Sequence, residues 1–87
     1  MDSTVIMIFN DRRRNFKLDI EVPLNISANE LIYGLNKGLN LGIDISNMAE
    51  CYLCTEEPRI LLRGDTLLED LGVRNGTIIN FGDSERL

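Results

Sequence analysis

Residues 26–39, ISANELIYGLNKGL, hold a single long amphipathic helical pattern, and one apolar stripe limits how the rest of the chain can fold. Ser27 is placed to cap this helix. Glu30, three residues on, can reach back to the Ser27 backbone N–H, which makes a capping box. Ile26 and Leu31 flank the box as a hydrophobic staple. Ala28, Leu31, Ile32, Leu35 and Leu39 then share one arc, with Asn29, Tyr33, Asn36 and Lys37 on the opposite side. A lone stripe of this kind must be buried across one face of a sheet. Gly34 and Gly38 cost the helix about 1 kcal/mol each relative to alanine. Their GxxxG spacing is a dimer motif only inside a membrane span, so packing is the expected reason, with Gly38 letting the helix approach the sheet closely.

The sheet is legible on both sides of the helix. TVIMIF, residues 4–9, is β-branched and apolar, and the polar turn NDRRRN follows it. FKLDIEV alternates, with Phe16, Leu18, Ile20 and Val22 on one face and Lys17, Asp19 and Glu21 on the other. Together these read as a β-hairpin that ends at Pro23. LNLGIDISN breaks the helical period; AECYLCT reads as a third strand, EEP as a turn, RILL as a short fourth strand and RGDT as another turn. LLEDLGV makes about one helical turn, Asn75-Gly76 supplies a tight turn, and TIINF is a final, central strand. The tail GDSERL has nothing to bury and is expected to fray. The expected fold class is α+β: a mixed sheet of four to five strands covered on one face by one helix. It occupies a single domain, residues 1–87, with its ordered core at about 3–82.

Composition narrows the function classes. A chain of 87 residues supports one core, and 44% hydrophobic with 26% charged residues is an ordinary globular balance. No apolar run approaches the roughly 20 residues of a membrane helix. MDSTVIMIF has neither a basic region nor a small-residue cleavage site, so it reads as a strand and the expected location is the cytoplasm. Fourteen acids against nine Lys and Arg give a net charge of −5, with the whole excess falling after residue 43. That distribution argues against nucleic acid as a partner. The chain has no His, which removes the commonest general base and metal ligand.

In order and detail, LLRGDTLLEDLGVRNGTIINF resembles the ubiquitin-like β-grasp fold: a leucine strand, a turn, an L-x-D-x-x-I/V segment and a last strand. Leu68, Asp70, Leu71 and Val73 fall on that segment, and Ile79 and Phe81 on the inward positions of the strand. The resemblance covers residues 4–82. Within the superfamily, the N-terminal V-x-M-x-F strand, the LNLGIDISN segment and the NG-type turn make the chain similar to the YukD/EsaB family. That family comprises free-standing ubiquitin-like proteins of the type VII (WXG100) secretion systems of Gram-positive bacteria. The resemblance implies a cytoplasmic accessory role through protein contacts, without catalysis and without a cofactor. One departure from ubiquitin-type modifiers bears on function: they end in Gly-Gly, whereas this sequence has no Gly-Gly and runs Gly82-Asp83-Ser84-Glu85-Arg86-Leu87. Arg12, Arg13 and Arg14 also stand where ubiquitin has an apolar residue of its recognition patch.

Several residues invite a chemical role. Cys51 and Cys54 form a CxxC, but a structural zinc needs four ligands and a redox pair sits at a helix N-terminus. Residues three apart in a strand point to opposite faces, so two ordinary strand cysteines are expected. Arg12, Arg13 and Arg14 suit either a solvated turn or an acidic protein surface. Tyr52 faces the open side of the sheet if Ala49, Cys51 and Leu53 face the helix; in the opposite register Tyr52 and Cys54 enter the core. Arg63-Gly64-Asp65 reads as a turn, and the pairs Glu56-Glu57 and Glu69-Asp70 as solvated surface. The leading expectation is a non-catalytic interaction module with Arg12, Arg13, Arg14 and Tyr52 as protein-binding residues. Its partner would be a secretion ATPase or membrane component. The rival readings are a covalent modifier or sulfur carrier that needs C-terminal processing, a zinc or redox protein using Cys51 and Cys54, and a ubiquitin-like domain of a larger membrane component.

Overall fold

Alternation builds the hairpin. A computed structural model describes residues 3–47, 49–57 and 59–82. In it β1 (Thr4–Asp11) and β2 (Phe16–Pro23) pair antiparallel in continuous register, from Thr4 opposite Pro23 to Asp11 opposite Phe16. Three short strands complete the sheet: β3 (Leu53–Glu56), β4 (Leu61–Leu62) and β5 (Ile78–Phe81). Their order is β2-β1-β5-β3-β4, so β5 is central, parallel to β1 and antiparallel to β3. The helix α1 (Ala28–Leu39) covers one face, and the single turn α2 (Leu68–Leu71) returns the chain towards the sheet centre. Val5, Met7, Phe9, Val22, Leu53, Leu62 and Ile79 from the sheet meet Ala28, Leu31, Ile32 and Leu35 from α1 in one core. This is the α+β arrangement that the single stripe demands.

Every free backbone donor at the start of α1 is matched. The Ala28 N–H donates to Thr66 O and the Asn29 N–H to Gly64 O, each at 3.0 Å. Glu30 N–H donates to Ser27 Oγ at 3.1 Å, and Ser27 N–H donates to Glu30 Oε1 at 2.8 Å, which closes the expected capping box. The turn α2 leans on the same region: Leu68 N–H donates to Ile26 O and Glu69 N–H to Leu24 O. Sequence-distant segments thus satisfy one another's orphan amides, which a helix end otherwise leaves to water.

Five expectations need correction. Gly38 does not bring α1 close to the sheet: Gly34 and Gly38 are exposed, and a Cβ at either would meet nothing within 4 Å. Leu18 lies on the inward side as its alternation predicts, so here the difference is one of degree: it is 40% exposed, because β2 is an edge strand. Asn29 and Asn36 are not simply wet. Asn36 donates to Ile43 O at 3.0 Å and accepts from Ile43 N–H at 2.8 Å, and Asn29 Oδ1 accepts from Gly64 N–H at 3.0 Å. Each amide pins a loop against the helix. The third strand begins at Leu53, not Ala49; before it a turn closes on Asn47, whose carbonyl accepts from Glu50 and Cys51 N–H. The fourth strand is limited to Leu61–Leu62. Pro58 of the EEP turn and the 83–87 part of the expected fraying tail lie outside the described residues.

Candidate protein-binding site

Because α1 covers one face of the sheet, the other face is open, and strand register orders what it displays. Ile6, Ile8 and Asn10 of β1 alternate with the buried Val5, Met7 and Phe9 and so point to the open side. Ile8 lies beside Ile78, and Asn10 beside Asn80. Asn80 pairs with Cys54, which pairs with Leu61. Ile6 is 44% and Leu61 48% exposed. Between these apolar ends runs a polar bridge: Asn10 Nδ2 donates to Asn80 Oδ1 at 2.9 Å, and Asn80 Nδ2 donates to the Glu56 carboxylate. These bonds tie side chains of three strands together, Glu56 reaching diagonally from the β3 residue that pairs with Ile78.

Cys51, Leu53 and Thr55 are buried against the helix side, and Tyr52 and Cys54 are half-buried on the open side. Tyr52 therefore has the outward register, although Ala49 is exposed in the preceding turn. Arg12 N–H donates to Phe81 O at 2.8 Å, and continuing the Cys54–Asn80 pairing by two residues brings Tyr52 level with Gly82 on the other side of β5. Two of the four residues singled out from the sequence thus lie at the same end of the sheet, flanking β5.

The other two have work inside the fold. Arg14 Nη1 donates to Leu39 O at 2.9 Å and Nη2 to Asn40 O at 2.7 Å, so this cation closes the C-terminal end of α1. Arg13 Nη2 donates to Leu41 O at 2.9 Å, and its guanidinium lies 4.5 Å from the Phe81 ring centroid. Phe81 stacks in turn on Phe9, with centroids 6.1 Å apart. Beneath the tip, Asp11 is fully buried; its Oδ1 accepts from Arg13 N–H at 3.0 Å and Arg14 N–H at 3.1 Å. Its Oδ2 has no hydrogen bond and faces Arg14 Nε at 3.6 Å. An Asx-type turn could be read from the Asp in NDRRRN, but its burial could not.

The remaining candidates are structural. Cys51 is buried and Cys54 half-buried on the opposite face, and both thiols are free. Among the described residues no group of three or more Cys, Asp or Glu is arranged to hold a metal ion. Gly64 sits at φ 78° in the Arg63-Gly64-Asp65 turn, and Glu57, Glu69 and Asp70 are exposed. Asp44 is held below its ordinary pKa of 3.8, first by the Ser46 hydroxyl, which donates to it at 2.6 Å, then by the Ser46 N–H. This exposed turn acid is a local feature of the loop after α1.

One helix over a five-stranded mixed sheet, with a parallel central pair and a helical turn before the last strand, makes this a ubiquitin-like β-grasp protein. The family model described as the WXG100 protein secretion system (Wss) protein YukD matches residues 4–80, and the chain belongs to that family. No curated protein matches it. Membership points to the ubiquitin-like accessory proteins of type VII secretion, as the V-x-M-x-F strand and the LNLGIDISN segment imply. Among the described residues, no helix is long and apolar enough to cross a membrane.

Proposed function

We propose that this chain is a non-catalytic protein-binding module, a cytoplasmic accessory or regulatory component of a type VII secretion system that is not conjugated to its targets. Its partner is a secretion ATPase or a membrane component, with nucleic acid excluded by the acidic balance. The observation that carries the reading is an open sheet face, uncovered by α1, with Arg12 and Tyr52 flanking the same end of β5. Tyrosine and arginine are the residue types that most often dominate protein interfaces, and a basic tip favours an acidic surface.

Gly82 supports the absence of conjugation on physical grounds. It sits at φ 83°, and the space where its Cβ would be is filled by the Arg13 side chain and backbone. A modifier needs its glycine carboxylate on an extended tail that an activating enzyme can thread; Gly82 is instead built into the sheet end. The CxxC reading loses support because Cys51 is buried on the helix side just before β3, whereas Cys54 within β3 is half-buried on the open side.

Tyr52→Ala and Arg12→Glu test the surface. Each is expected to weaken binding to the isolated secretion partner about tenfold or more, with the melting temperature held within a few degrees. Partner affinity unchanged in both variants retires this surface. Arg13 and Arg14 are unsuitable probes, because reversing either charge removes a helix-end contact and disturbs the fold.

A further inference from the structure

The edge strand β2 is long and unpaired on one side, and its sequence is complementary to itself. Leu24 N–H donates to Ser3 O at 2.9 Å, directly across the β1–β2 register. In an antiparallel ladder the bonded residues alternate, so Phe16, Leu18, Ile20 and Val22 direct their backbone groups to β1. Lys17, Asp19 and Glu21 therefore direct theirs to the open edge. The opposite edge, β4, has only two residues and offers much less backbone.

We infer that two copies of this chain pair through β2, antiparallel about a two-fold axis at Leu18, to continue the sheet across a homodimer. Lys17 of each copy then lies opposite Asp19 of the other, and the two pairs share four backbone hydrogen bonds. On the inward side Leu18 meets its own counterpart, with Phe16 opposite Ile20 on both flanks. This covers Leu18, which a single chain leaves 40% exposed, and extends over the half-buried Phe16 and Ile20.

The charges decide between registers. Moving the axis to residue 19 keeps two attractive pairs, Lys17 opposite Glu21, but sets Asp19 against Asp19 between them, which is repulsive. Only the axis at Leu18 gives opposite charges at both bonded pairs and apolar residues at all three inward pairs. Charged side chains on an edge ordinarily discourage pairing; here the signs alternate, so a second copy in this register meets opposite charges. Neither Lys17 nor Asp19 has an ion-pair or hydrogen-bond partner among the described residues, so both are available. An isologous contact of this kind closes at two and does not propagate.

Sedimentation velocity of the full chain from micromolar to millimolar concentration tests the inference. The wild type is expected to double its mass with rising concentration. Asp19→Lys and Lys17→Asp should each raise the dissociation constant on the order of tenfold or more, since two attractive pairs become repulsive. The double swap Lys17→Asp with Asp19→Lys should restore the dimer, which a merely unfolded variant could not do. Amide exchange at Lys17 and Asp19 should slow as the dimer forms. A wild type that stays monomeric at millimolar concentration overturns the proposal and leaves the edge for a different protein. So does a dimer that Asp19→Lys leaves intact.

Discussion

Asp11 and Gly82 show how single residues hold the tip of this molecule together. A buried carboxylate that accepts two backbone N–H bonds and faces a guanidinium is costly to remove, because the loop donors are then left unpaired. Asp11→Ala should therefore destabilise the domain by about 2–3 kcal/mol in urea unfolding. Gly82→Ala combines positive φ with the crowding of Arg13, and a loss of about 1–3 kcal/mol is expected. A melting curve that matched wild type would remove Gly82 from the fold and reopen the idea of a free glycine terminus. At Asp44 the hydroxyl of Ser46 stabilises the ionised form. The folded pKa is depressed, so the stability linked to it is present above the ordinary value of 3.8 and is lost as pH falls through the folded value. Carboxyl NMR titration should place Asp44 below the ordinary aspartate range, and Ser46→Ala should move it back towards that range.

Among the elements, α1 is the piece whose energetics are simplest to test. Its capping box is closed in both directions, so Ser27→Ala should cost about 1 kcal/mol. Gly38 is helical, exposed and surrounded by open space, so Gly38→Ala should instead stabilise by about 0.5–1 kcal/mol. Had Gly38 been packed against the sheet, as its place on the apolar arc suggests, the sign would reverse; thermal denaturation of this one variant separates the two. The same helix shows what a sequence conveys. Ser27 and Glu30 are three residues apart and signal each other directly, as do Asn75 and Gly76 or the alternating residues of β2. Asn36 gave no such sign, because its partner is the backbone of Ile43 in an irregular loop, and backbone partners have no residue type to recognise. Arg14 and the carbonyls of Leu39 and Asn40 lie 25 and 26 positions apart. Only the packed tertiary structure brings them together, so the arginine run reads from sequence as a solvated tip.

For the whole molecule, one helix and one turn cover a sheet on a single side, and this asymmetry leaves one face and the β2 edge uncovered. The open face displays Ile6, Leu61 and Tyr52 around an amide ladder, and the β2 edge displays Lys17 and Asp19. The chain belongs to the YukD family of the WXG100 protein secretion system. The two-layer order was legible because a lone amphipathic stripe admits few solutions. The placement of Arg12 and Tyr52 at the same end of the sheet was not, since it depends on how β1, β5 and β3 are staggered; Tyr52 precedes the first paired residue of a strand only four residues long. The central claim is that this protein acts by noncovalent contact. It is tested most directly by tagging the chain in its native host, recovering it with its partners, and resolving each eluate under denaturing conditions by mass spectrometry. Bait at its unprocessed mass is expected, together with a secretion ATPase or membrane component that separates from it on denaturation. A ladder of covalent adducts, or bait trimmed at Gly82, would contradict it.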